Sequence, residues 1–367
     1  MKKILIIETS LFRGGGRGGS FQQAKYYLDL LSQHGYNAEL FIGEARMNQY
    51  LRRLKLIRKI RTSDFIIGFG TPLLCSYLQW LSFFLGKKGI FCIDTYISSR
   101  DIIKDHLKRN IFPAKIIFYT IFSSLLNKIF MFFLPPKLNL VTLSSCHYIF
   151  DKLKYTRLGC DGDRFLYPKI TYKKRIGVLN KHKTVLFYGT LYRGRGVIDL
   201  IQACRILWKE SYDFKLIILG WPIDPFTKKQ IAGDIMDIDK RKIVVKGYVT
   251  NIGEYLKEAS AVVLPFRYPC SFQTPYTLLE PMGLGVPVIT TDVGSHCEWI
   301  KDRDTGLICQ KENPGDLAEK IETVFKDKKL VERITTGAYR LLKKRYQKKD
   351  LLLETLKKYE RQILGKK

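Results

Sequence analysis

The sequence predicts two consecutive α/β domains, each a parallel sheet with helices on both faces. Short runs rich in Ile, Val and Phe alternate with helix-length stretches, the order that produces parallel sheets. The alternation stops at Pro168, passes a basic segment at 172–175, and starts again. A chain of 367 residues with 46% hydrophobic content also holds enough apolar material for two cores of ordinary size. The expected boundaries are 1–172 for the first domain and 173–345 for the second, with 346–367 as a terminal helix packing back toward the first domain.

In the first domain the strand candidates are KILIIE, AELFI, FIIGF, GIFCID and NLVTLS, and FQQAKYYLDLLSQHG is the clearest helix between two of them. ILII follows MKK at once, without the apolar length or small-residue cleavage site of a secretory signal, and reads as a strand. Residues 111–134, IFPAKIIFYTIFSSLLNKIFMFFL, are about as long as a membrane span. Lys115 and Lys128 leave twelve uncharged residues between them. A lysine near mid-bilayer costs about 3 kcal/mol, which disfavours a true span. Drawn as a helix, Thr120, Ser123, Ser124, Asn127 and Lys128 form a narrow polar stripe beside a wide apolar face. Such a helix fills a core or lies on a lipid surface, and the basic surroundings favour the lipid. In the second domain the strand candidates are TVLFYG, FKLIILG, KIVVKG, SAVVLPF and VPVITT. From 331 to 363, apolar residues including Leu341, Leu342, Leu352, Leu356 and Tyr359 recur at helical spacing among lysines, giving one or two surface helices.

Net charge is +29, and +18 of it comes from residues 1–175, where 29 Lys and Arg face 11 Asp and Glu. Charge of that size concerns partners: nucleic acid, an anionic membrane face or a phosphate-bearing substrate. Nucleic acid is set aside, because no zinc-finger spacing, RNP-like run or helix-turn-helix pattern stands out. The eight cysteines are scattered without a C-x-x-C pair, which argues against a structural zinc or a redox dithiol and for a reduced, intracellular chain.

Chemistry first shows in the cluster Gly14 to Gly19, after the first strand and before a helix. Amides freed of side chains, at Gly16, Gly18 and Gly19, can approach a phosphate at the positive helix end, with Arg17 adding charge. Gly14, Gly16 and Gly19 also satisfy G-x-G-x-x-G, the dinucleotide fingerprint of an NAD-dependent oxidoreductase, although Thr9 to Arg13 separate them from the strand. The second domain supplies a parallel feature in FYGTLYRGRGVIDLIQAC: a strand ending at Gly189, then Arg193 and Arg195 at a helix entrance, where guanidinium groups suit a diphosphate. The densest constellation runs from 265 to 308, in the order strand, loop, short helix with Glu280, glycine turn, strand. A carboxylate on that helix can accept two ribose hydroxyls while the amides at its N-terminus take phosphate.

These stretches resemble the family-4 retaining glycosyltransferases of GT-B fold, also grouped as glycosyl transferases group 1, over nearly the whole chain. Gly18 and Gly19 stand at that family's N-terminal glycine pair. GTLYRGRG resembles its G-x-L-x-x-x-K-G loop, with Arg195 at the position of the diphosphate-binding lysine and Arg193 in place of an arginine usual where Thr190 stands. LLEPMGLGVPVITTDVGSHCEWI resembles its E-A-x-A-x-G-x-P-V-I segment and the G-x-x-E-x-I that completes the pattern.

The resemblance implies two Rossmann-like domains with parallel sheets facing a central cleft. It implies transfer of a sugar from a nucleoside-diphosphate donor held by the second domain to an acceptor hydroxyl held by the first, with retention. Glu280 becomes the ribose-binding second glutamate of a Glu-x7-Glu pair whose first member is replaced by Phe272. Gln273, Thr274 and Pro275 replace a glycine-containing turn, and because proline has no N–H, donor contacts fall to Gln273, Thr274 or the Tyr276 amide. Asp94 and Thr95 stand where many relatives have a histidine. The base is expected against Gly247, Tyr248 and Val249, and leaving-group charge against Arg195, Arg193 and the glycine-loop amides. No cofactor and no divalent metal are implied beyond the nucleotide sugar. The expected acceptor is a lipid-linked or cell-envelope polysaccharide hydroxyl, reached by a cytoplasmic chain peripheral to an anionic membrane face. A catalytically inactive nucleotide-binding relative and an NAD-dependent oxidoreductase are the alternatives.

Overall fold

The computed structural model describes residues 3–8, 19–42, 49–70, 72–93, 140–142, 155–157, 183–220, 222, 225–249, 251–268 and 275–346. The chain divides into two compact units, whose described residues run from 3 to 157 and from 183 to 346. The expected boundary at 172/173, the segment 111–134 and the terminal segment beyond Tyr346 lie outside the described residues.

In the first unit the strands are β1 (Lys3–Glu8), β2 (Asn37–Ile42), β3 (Phe65–Gly70), β4 (Lys88–Ile93), β5 (Leu140–Thr142) and β6 (Tyr155–Arg157), in the spatial order β2-β1-β3-β4-β5-β6. All pair in parallel, with Ile4 opposite Phe65 and Phe65 opposite Lys88. Parallel neighbours need a crossover, and helices supply it: α1 (Gly19–Gln33), α2 (Gln49–Arg61) and α3 (Pro72–Phe84). The alternating pleat sends Ile4 and Ile6 to one face, where Tyr27 and Leu31 of α1 pack, and Leu5 and Ile7 to the other. There Leu56 and Ile60 of α2 and Cys75 and Leu78 of α3 share one apolar cluster. The α2 and α3 helices therefore cover the same face of the sheet.

The second unit repeats the plan with β7 (Thr184–Tyr188), β8 (Lys215–Leu219), β9 (Ile243–Lys246), β10 (Ala261–Leu264), β11 (Val288–Thr291) and β12 (Leu307–Cys309). Read from β9 the order is β9-β8-β7-β10-β11-β12, again all parallel. Its helices are α4 (Val197–Lys209), α5 (Pro225–Ile235), α6 (Ile252–Glu258), α7 (Tyr276–Leu284), α8 (Pro314–Lys326) and α9 (Lys328–Tyr346). The central strands β7, β10 and β11 are buried along their whole length, as continuous apolar runs covered on both faces should be. Asn313 caps α8 by accepting from the Asp316 N–H at 3.1 Å, with Pro314 at the first helical position, where its missing N–H costs nothing. Leu330, Val331 and Ile334 bring α9 into the main core, so that helix is half interior and not purely surface.

Candidate functional site

In an open parallel sheet, ligands collect at the carboxyl edge where the strand order reverses, because the loops on either side diverge there. In the second unit that point falls between β7 and β10. The loop after β7 and the loop after β10 carry the residues singled out from the sequence.

Gly189 follows β7 with φ +120°, and its N–H donates to the Leu219 carbonyl at 2.9 Å. A Cβ there would lie 2.5 Å from Arg195 Nη1 and 3.5 Å from the Thr277 methyl, so only glycine lets both side chains approach the strand end. Arg195 closes the 3-10 turn Arg193–Arg195, and Gly196, at φ +72°, begins α4. A Cβ on Gly196 would meet the Pro265 carbonyl at 1.9 Å, which presses this turn directly onto the backbone after β10. The Arg195 guanidinium lies 5.1 Å from the Phe266 ring centre and 5.8 Å from that of Tyr192, within cation–π range. Its Nε and Nη1 are shielded from solvent and have no hydrogen-bond partner among the described residues; the same holds for Thr277 Oγ1 and Ser295 Oγ. A guanidinium so arranged, beside a hydroxyl of like state, suits an anion.

The α7 helix brings Glu280 to the same place. Pro275 precedes it with extended backbone and no side-chain cap hydrogen bond, and Tyr276 and Thr277 form its first turn. Pro281 sits inside this short helix and has no N–H for the Thr277 carbonyl four residues back. The Tyr188 hydroxyl occupies that carbonyl at 3.2 Å and the Glu280 carboxylate at 2.9 Å, dividing its single hydrogen between two acceptors. Glu280 is thus oriented from β7, one residue before the glycine that contacts Arg195.

Two further groups fix the loops. Arg267 grips Asp199 of α4 through two hydrogen bonds, Nε at 2.8 Å and Nη2 at 2.5 Å, and both side chains are only 6% exposed. The Arg267 N–H also donates to the Gly194 carbonyl at 2.9 Å, and the Tyr268 ring covers Gly194 where a Cβ would sit. The 193–195 turn is therefore held by the residues that follow β10. Thr290 and Thr291 at the end of β11 donate to the Leu264 and Phe266 carbonyls at 2.8 and 2.5 Å. His296 lies 2.8 Å from Thr290 Oγ1 through Nδ1 and 4.6 Å, centre to centre, from the Phe266 ring. Burial, and then the charge of Arg195, push its pKa down from the ordinary 6.5 to about 3, against a weaker opposing bond to the Thr291 backbone. The imidazole stays neutral beside the cation.

Of the residues expected from the sequence, Gly189, Arg193, Arg195, Tyr276 and Glu280 gather at the ends of β7 and α7. Arg193 shares the 3-10 turn with Arg195 and has its Nε and Nη1 shielded from solvent. Gly247, Tyr248 and Val249 follow β9, two strands from β7 on the same carboxyl edge, with Tyr248 half exposed. Gly19 opens α1 in the first unit, whereas Gly16, Gly18, Phe272, Gln273, Thr274, Asp94 and Thr95 lie outside the described residues. Tyr188, Asp199, Phe266, Arg267, Thr277 and His296 were not anticipated. The legible hint was Asp199, an acid inside the apolar run VIDLIQAC. D-x-D spacing does occur in the sequence, at Asp161/Asp163, Asp237/Asp239 and Asp302/Asp304. Asp237 pairs with Arg205, Asp239 with Arg241, and Asp302 accepts from the Ile308 N–H. No cluster of three or more metal-ligating side chains occurs among the described residues.

Two parallel sheets, the second with a phosphate-type loop and a carboxylate-bearing helix at its switch point, define a glycosyltransferase architecture of GT-B type. The structure of Anabaena HepE in complex with UDP-glucose is similar in fold, with a TM-score of 0.71 over 98% of this chain and 100% of that one at 16% identity. Residues 168–341 match the family glycosyl transferases group 1. An uncharacterised glycosyltransferase of Methanocaldococcus jannaschii is 29% identical over 206 residues, 52% of this chain and 48% of that protein. The N-acetylgalactosamine-N,N'-diacetylbacillosaminyl-diphospho-undecaprenol 4-alpha-N-acetylgalactosaminyltransferase of Campylobacter jejuni is 25% identical over 217 residues, 57% of each. The matched stretches thus span about half the length of these curated relatives.

Proposed function

We propose that the chain transfers a sugar from a nucleoside-diphosphate donor to the hydroxyl of a lipid-linked or polysaccharide acceptor, with retention, at the cytoplasmic face of an anionic membrane. The observation that carries this reading is the meeting of Arg195, Thr277 and the Glu280 helix at Gly189. Glu280 would accept the ribose hydroxyls. Arg195 and the first amides of α7 would hold the diphosphate and stabilise the charge it gains as the sugar–oxygen bond breaks. The acceptor oxygen forms the new bond, and its proton passes to the departing diphosphate, so no enzyme nucleophile is needed. The Campylobacter relative, whose name specifies a diphospho-undecaprenol-linked substrate, supports the lipid-linked class of acceptor.

A panel of UDP-, GDP- and ADP-sugars, followed by titration calorimetry, tests the assignment. Glu280→Ala is expected to weaken nucleotide binding by about 1–3 kcal/mol, the cost of losing hydrogen bonds to a charged acceptor. Unchanged affinity would remove Glu280 from the site. Phe272 in place of the first glutamate favours a second reading, an inactive relative, which would bind a donor yet neither hydrolyse it nor pass on its sugar.

A further inference from the structure

The first unit exposes an aromatic cluster that its fold does not use. Phe83 is 59% exposed and Phe84 75%, at the end of α3, and Trp80 completes the group: its ring stacks on Phe84 at 5.6 Å and meets Phe83 edge-on at 5.8 Å. Tyr77, one turn earlier on the same helix, is 40% exposed. Large rings left in water are costly to a solitary protein and mark a contact surface.

Their neighbours identify the occupant. Both α2 and α3 run against the strands and end at the amino edge of the sheet, and Phe65 lies opposite Lys88, so the two helix ends open side by side. The α2 helix, QYLRRLKLIRKIR, contains no acid, and α3, PLLCSYLQWLSFF, contains no charge at all. Arg58, Arg61 and Lys88 are exposed along this edge. Its two carboxylates are already engaged, Glu39 with Lys3 and Lys59 and Asp64 with the Lys3 N–H at 2.7 Å. Aromatic rings ringed by cations of one sign match the boundary of a bilayer, where rings sit at headgroup depth and Lys and Arg meet anionic lipid. A protein partner of ordinary surface would call for both signs of charge.

We infer that the amino edge of the first sheet, at the ends of α2 and α3, is a docking surface for the headgroup layer of an anionic phospholipid bilayer. The inference rests on the membrane part of the proposed function and is independent of the sugar transferred. The rings are already packed on one another, so insertion orders little that is not ordered beforehand.

Co-sedimentation of the full chain with vesicles of phosphatidylcholine, with and without phosphatidylglycerol, tests it. The wild type should bind the anionic vesicles, and the Phe83→Ser/Phe84→Ser double variant should partition about tenfold less while keeping its thermal midpoint, since both side chains lie outside the core. Arg58→Ser/Arg61→Ser should lose binding mainly at low salt, where charge is least screened. A wild type that ignores anionic vesicles overturns both this surface and the membrane reading. Wild-type binding undiminished in the aromatic variant overturns this surface alone. A loss of self-association in that variant without vesicles, seen by size exclusion, would make the face a self-interface and also overturn it.

Discussion

Thr277 and Pro281 lie four apart in α7, so any residue with an N–H at 281 would close the helix onto the Thr277 carbonyl. Proline withholds that bond, and the Tyr188 hydroxyl fills the gap while reaching Glu280. Tyr188→Phe should therefore weaken nucleotide binding by about 0.5–1.5 kcal/mol, read by calorimetry, and lower stability by a similar amount. Adding Pro281→Ala to it should restore part of the stability but not the affinity, because the helix regains its bond while Glu280 still lacks the Tyr188 hydroxyl. His296 makes a second prediction. Its proton binds first in the unfolded chain, near the ordinary 6.5, and in the folded chain only near 3. The stability it contributes is full above pH 6.5 and is lost as pH falls toward 3, about 2 kcal/mol of it by pH 5. Urea unfolding at pH 7 and pH 5 should show that loss, and His296→Gln should flatten it; an equal slope in the variant would clear His296 of the effect.

At the scale of elements, the Asp199–Arg267 pair joins α4 to the loop after β10 across the back of the arginine turn. A buried ion pair adds little net stability, but half of one is costly, so Arg267→Ala should destabilise by about 3–5 kcal/mol in chemical denaturation. The apolar double variant Arg267→Met/Asp199→Leu should recover most of that. If it also keeps wild-type affinity for a nucleoside diphosphate, the pair does not position Arg195. Ten of the twelve described strands were readable as apolar runs, from KILIIE through VPVITT, the edge strands β2 and β9 among them. The edge strands β6 and β12 were not: three residues leave no periodicity to detect, and neither sits in a longer apolar run as β5 sits in NLVTLS. Arg195 and Glu280 were readable because their local motifs carry their chemistry. Tyr188 and Arg267 were not: their roles depend on partners 92 and 68 residues away, a proximity that only the closed sheet creates.

Across the whole molecule, the family match and most of the charge fall in different units. The second unit carries the match to glycosyl transferases group 1 and the convergence at Gly189. Residues 1–175 carry +18 of the +29 charge, with the aromatic edge among them. In the first sheet every strand points the same way, so the docking edge and the carboxyl edge are opposite ends of one slab. Its first strand is six residues long, a height of about 20 Å. Standing on its aromatic foot, the unit would raise its carboxyl edge about that far above the lipid headgroups.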